Sequence, residues 1–178
     1  MFELEVYLSD SAFMGLCFSA IEVYKDECLG SLIGYKTDDV LAVEHAVPYQ
    51  SAKRTPSGVE PIYHRESRVM ELVDAMTIMK HAGYFHSHNQ YGDTHSSTVP
   101  SDRDKESIEP GQFEIIVAVN ECKRWQPWGW SEQKKILYGS LGDYLVHIAA
   151  YYKDESERIS KCRIRCPYTV GLNEAFNL

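Results

Sequence analysis

Gly83-Tyr84-Phe85-His86-Ser87-His88, followed after a polar stretch by Ser101-Asp102-Arg103-Asp104, is the part of this 178-residue chain on which the rest of its reading depends. The aromatic run ahead of the histidines predicts a strand. On a strand residues i and i+2 project from one face, so His86 and His88 aim both imidazoles at one point. Two imidazoles and one carboxylate make three protein ligands. A catalytic zinc ion uses such a set and keeps its fourth position for water, whereas structural zinc is usually closed by four side chains rich in cysteine. Water held at such a site loses a proton near neutral pH.

A hydrolytic zinc site also needs a general base, which is free to come from elsewhere in the sequence. Glu27-Cys28-Leu29-Gly30-Ser31-Leu32-Ile33-Gly34 supplies a candidate, a carboxylate at the start of a strand expected to be largely buried. A half-buried glutamate beside metal-bound water is suited to carry a proton from that water to a leaving amine. A glutamate before Cys-x-Gly-x-Leu-Ile-Gly, the His-Ser-His pair and Pro100-Ser101-x-x-Asp104 together resemble the JAMM metalloproteases, the active branch of the MPN (JAB/MPN/Mov34) domain family. The order of elements agrees over most of the chain.

The resemblance implies an MPN-type α/β fold: one domain, with a curved mixed β-sheet flanked by two or three helices. It implies zinc ligands at His86, His88 and Asp104, with Asp102 the competing carboxylate, a general base at Glu27 and an oxyanion-stabilising hydroxyl at Ser101. The family hydrolyses peptide or isopeptide bonds, often at the C-terminal glycine of ubiquitin or of a ubiquitin-like or sulfur-carrier protein. Two departures bear on the path of one loop: Asn89 stands where the family usually has proline, and the stretch from His88 to Ser101 is longer than usual. That stretch carries Asp93 and His95, either of which is able to gate an open metal position; the plainer alternative is a surface turn with His95 in solvent.

Taken singly, each piece has an ordinary reading. A His-x-His pair also occurs at plain strand ends, Ser101-x-x-Asp104 is also an N-cap with an acidic third position, and Glu27 is also a solvated helix-end carboxylate. Together, in this order, they point to a deubiquitinase-like hydrolase. The alternative class is a non-catalytic MPN scaffold or binding module. A zinc deaminase would need His-x-Glu and Pro-Cys-x-x-Cys, and neither is present.

Composition narrows the classes. The chain is 44% apolar, enough for one well-packed domain, and its net charge of −8 offers no basic footprint for nucleic acid or for a membrane surface. Met1-Phe-Glu-Leu-Glu lacks the features of a signal peptide, so a cytoplasmic protein is expected. The cysteines at 17, 28, 122, 162 and 166 form no paired framework and are read as reduced thiols.

Alternation at Phe2, Leu4, Val6 and Leu8 predicts a first strand, and Phe13 to Tyr24 a helix capped by Ser9-Asp10-Ser11. Cys28–Tyr35 and Val40–Val47 read as a hairpin joined through Lys36 to Asp39. The stretch 48–61 is polar, without periodicity, and reads as a mobile insertion bearing on substrate or as a plain surface loop. Val69, Leu72, Val73, Met76 and Met79 or Lys80 predict a second helix packed by one face. Strands are expected at Phe113–Val119, Ile136–Tyr138 and Leu145–Tyr152, with a further edge strand within Arg163–Val170. The loop at 122–132 gathers all three tryptophans, Trp125, Trp128 and Trp130, and reads either as a partner-docking surface or as a flap over a sheet edge.

Overall fold

The computed structural model describes residues 4–37, 39–76 and 78–175 of the chain. In chain order the strands are β1 (Glu5–Leu8), β2 (Leu29–Lys36), β3 (Val40–Pro48), β4 (Lys53–Thr55), β5 (Gly58–Glu60), β6 (Lys80–Asn89), β7 (Phe113–Glu121), β8 (Gly129–Ser131), β9 (Ile136–Leu141), β10 (Tyr144–Lys153) and β11 (Ile159–Arg165). The helices are α1 (Asp10–Glu22), α2 (Tyr63–Met76), α3 (Asp102–Ser107) and α4 (Tyr168–Ala175).

β7 is central because both of its faces are buried. Phe113, Ile115, Val117 and Val119 join one buried cluster, and Ile116 joins a second with Ile108, Ile136, Ala149 and Tyr151. The first cluster draws on β1, β2, β3, β6, β7, β10 and β11, and on Ala12, Phe13, Leu16, Cys17 and Ala20 of α1. Ser9 starts α1 by accepting the Ala12 N–H at 3.0 Å, as an N-cap should.

The expected α/β fold, a curved mixed sheet flanked by two or three helices, is corrected here. The strands run β11-β1-β3-β2-β6-β7-β10, and β11 also pairs with β10, which closes a seven-stranded barrel. The chain is mostly β and only 23% helical. Closure depends on how β10 uses one edge: residues 144–148 pair with β9, whereas Ala150 to Lys153 pair with β11. Inward and outward positions alternate with period two in an open sheet and in a barrel alike, so the sequence pattern does not distinguish them. The expected edge strand is instead the closing strand, and the chain after it turns into α4.

Three smaller expectations change as well. The 48–61 stretch folds in part as the β4–β5 hairpin. The helix read as running to Met79 or Lys80 ends at Met76, and its inward side is Glu66, Met70 and Val73, while Val69 and Leu72 are exposed. Glu66 accepts from the Tyr49 hydroxyl at 3.0 Å and Met70 sulfur from Ser31 at 3.7 Å, so polar contacts, not an apolar stripe, seat this helix. Phe2, Asp38 and Thr77 lie outside the described residues. Among the described residues no helix is long and apolar enough to cross a membrane.

Candidate metal centre

β6 carries both histidines between β2 and β7. It lies so close to β7 that Gly83, at φ 145°, leaves no room for a side chain: a Cβ there would stand 1.8 Å from the Phe113 carbonyl oxygen. Along β6, Phe85 joins the large apolar cluster while His86 and His88 face the other way. Their Nε2 atoms are 3.0 Å apart, and Asp104 brings Oδ1 to 3.6 Å from His86 Nε2 and Oδ2 to 3.4 Å from His88 Nε2. One ligand atom from each of the three residues falls within 4.8 Å of the others, and the group can hold a metal ion.

The tautomers support that use. His86 Nδ1 lies 2.6 Å from Glu114 Oε1, and His88 Nδ1 lies 2.8 Å from the Ser97 carbonyl oxygen, so each Nδ1–H has an acceptor behind it. Both Nε2 atoms then present lone pairs to the same point, which is repulsive unless a cation or an added proton sits there. Two nitrogens on a tetrahedral ion with bonds of about 2.0–2.1 Å stand about 3.3 Å apart, close to the observed 3.0 Å. Burial disfavours the charged His86 ring, but Asp104 and Glu114 outweigh it and push its pKa up to about 10. Burial likewise opposes the Asp104 carboxylate, yet hydrogen bonds from His86 and His88 hold it well below the usual range.

Asp104 also keeps its ordinary role. It is the third residue of a capping box at the start of α3: Ser101 Oγ accepts the Asp104 N–H at 3.2 Å, and Asp104 Oδ2 accepts the Ser101 N–H at 2.6 Å. The cap orients the carboxylate and the carboxylate faces the histidines, so the two readings of Ser-x-x-Asp coexist. Asp102, the competing carboxylate, points away and bonds Lys105 at 2.8 Å.

Glu27 precedes β2 and is held by its backbone. Its N–H donates to the Thr55 carbonyl at 3.1 Å; Cys28 N–H donates to Ser87 Oγ at 2.9 Å, and Ser87 N–H to the Cys28 carbonyl at 3.1 Å. Asn89 donates to the Asp26 carbonyl. The Leu29↔His86 register, continued by two residues, brings Glu27 beside His88. Burial raises the Glu27 pKa, and the neighbouring histidines only partly offset this. Glu27, Ser101 and the three clustered residues all line one cleft of about 880 Å³, with the β4–β5 hairpin on its wall.

Several contributors were not legible in advance: Glu114, Ser87, the Ser97 carbonyl and the Thr55 carbonyl. Glu114 is 5% exposed beside the apolar run Ile115 to Val119, and a charge in that position is the one signal available beforehand. Asp93 and His95, the candidates for a gate, are exposed and stand outside the cluster. The loop after them is anchored instead, through Ser96 to Asn120 and through the Thr98 carbonyl to the Tyr151 hydroxyl at 2.8 Å. None of the five cysteines is joined in a disulfide.

No family model matches the chain, and no curated protein matches it. Among solved structures, the solution structure of protein DSY2949 from Desulfitobacterium hafniense is similar, with a TM-score of 0.62 at 16% identity over 90% of this chain and 92% of that one. At that identity the likeness bears on the fold alone.

Proposed function

We propose that the chain is a zinc-dependent hydrolase with the chemistry of the JAMM metalloproteases, cleaving a peptide or isopeptide bond at the C-terminal tail of a ubiquitin-like or sulfur-carrier protein in the cytoplasm. The observation that carries the proposal is the convergence of His86 Nε2, His88 Nε2 and Asp104 in a cleft, each ring braced from behind, with the Glu27 carboxyl alongside. It rests on the site and not on the fold. Zinc held there supplies Lewis-acid polarisation of the scissile carbonyl and lowers the pKa of water.

Glu27, made more basic by burial, takes a proton from the attacking water and returns it to the departing amine. Ser101 Oγ accepts from the Asp104 backbone, which leaves its own O–H free to donate to the developing oxyanion. His86 and His88 would each offer Nε2 to the zinc, because Glu114 and the Ser97 carbonyl hold the protons on Nδ1 and fix the tautomer. The cleft suits an extended tail and not a folded domain.

The test pairs metal analysis with cleavage of a diglycine-tailed ubiquitin-like protein. One zinc per chain and cleavage that stops in Glu27→Gln with zinc retained is the expected result. Zinc kept in a His86→Ala/His88→Ala double variant, or parent-rate cleavage by Glu27→Gln, overturns the assignment. Stoichiometric zinc without cleavage of any tailed substrate would favour the non-catalytic binding module.

A further inference from the structure

The clustered histidines and Asp104 take up only part of the cleft. Tyr84 lies on the same face of β6 as His86, two residues before it, and so roughly 7 Å from it along the strand. Tyr63 and Glu66, three residues apart on one side of α2, line the cleft with it. The proposed hydrolysis uses none of these three side chains.

Glu66 is fixed in this wall from behind. Its Oε1 accepts from the Tyr49 hydroxyl at 3.0 Å, and Tyr49, 8% exposed, is hydrogen-bonded in turn to the fully buried Ser31. A carboxylate has about four lone-pair sites, so one phenol leaves room for a further donor. Burial and then the Glu66 carboxylate push the Tyr84 phenol up, so Tyr84 stays a neutral donor. Tyr63 beside them is 75% exposed and offers an uncovered aromatic face. The charges of the cleft are otherwise committed. Among the described residues that line it, Arg103 is the only fixed cation, and Glu60 holds it at 3.0 Å. Asp104 and Glu114 face the histidines, and Glu109 accepts from Gln112 at 3.0 Å. A braced carboxylate next to an open aromatic ring is a receptor for an ammonium or guanidinium group, by ion pairing on one side and cation–π contact on the other.

We infer that this part of the cleft receives a lysine or arginine side chain of the substrate, its cationic head on Glu66 and its stem along the Tyr63 ring. An extended chain returns a side chain to the same face every two residues, about 7 Å. The basic residue therefore stands two positions from the residue held over His86 at the scissile bond. That placement rests on the metal reading, whereas the preference for a cation rests on Tyr63, Glu66 and Tyr84 alone. A neutral side chain of equal length gains only the contact with the ring.

Fluorogenic peptides provide the test, with lysine or glutamine scanned through the positions on both sides of the scissile bond. At one position, two residues from the bond, lysine should raise kcat/KM about tenfold over glutamine, as for one charge-assisted hydrogen bond. Glu66→Gln should abolish that gain with zinc retained, and Glu66→Lys should pass the preference to glutamate. Tyr63→Leu, at an exposed site, should reduce the gain about threefold by removing the π face; it decides the matter if the Glu66 variants fail to fold, since Glu66 also seats α2. If no peptide is cleaved, the metal reading fails, and binding of the same labelled peptides, read by anisotropy, judges the cation site by itself. Equal rates or equal binding for lysine and glutamine at every position overturn the inference. So does a lysine preference that survives undiminished in a folded Glu66→Gln or Tyr63→Leu variant.

Discussion

Replacing Glu114 tests whether the buried carboxylate behind His86 sets the metal affinity of the cluster. Its Oε1 lies 2.6 Å from His86 Nδ1, and both side chains are almost wholly buried, so water does not take its place. Glu114→Ala leaves the His86 Nδ1–H without an acceptor, costing the protein roughly 1–3 kcal/mol. It also frees the ring to turn or to take the wrong tautomer. Partners of this kind are worth about 10- to 100-fold in metal affinity, or about 1.4–2.7 kcal/mol. Glu114→Gln keeps an oxygen at the same reach and removes the charge, so it should retain the tautomer and lose only the lower end of that range. The assay is competition for zinc against a chromophoric chelator, with thermal unfolding of the apo forms run alongside. Parent affinity in a folded Glu114→Ala variant would refute the reasoning, as would equal losses for Ala and Gln.

Glu27→Gln should bind zinc normally and lose hydrolysis by roughly a hundred- to ten-thousand-fold. Because burial raises the Glu27 pKa in the metal-free protein, a carboxyl titration of the apo form should place Glu27 above an ordinary carboxylate; a value at the usual carboxylate position argues against that burial. In the apo protein the His86 pKa is raised to about 10, so its stabilising share is fully present below about pH 6.5 and is lost as pH rises toward about 10. Apo Tm should fall through that window while zinc affinity rises, and a His86→Ala variant should flatten both curves. His95→Ala should leave the rate on a small peptide unchanged, since His95 is exposed outside the cluster; a rise in basal rate would restore the gate. Gly83→Ala should destabilise the fold severely, measured by urea unfolding, because the Phe113 carbonyl occupies the place of its Cβ.

What the sequence by itself determined is local and periodic. The i, i+2 spacing of His86 and His88 sets both rings on one face of a strand whatever the surroundings, and Ser101-x-x-Asp104 writes a capping box that orients its own carboxylate. Glu27 was legible as a carboxylate ahead of a buried strand, but its position depends on Ser87, Asn89 and the Thr55 carbonyl, which belong to other strands. Only the tertiary structure decided what distant segments do to one another. Closure of the barrel by β11, the Glu114 brace behind His86 and the side on which α2 seats itself all come from pairings between residues far apart in the chain. The alternation of a strand records that a face is buried but carries no mark of which strand lies beside it, and the chain therefore spells out the residues able to hold a metal while leaving to packing the shell around them.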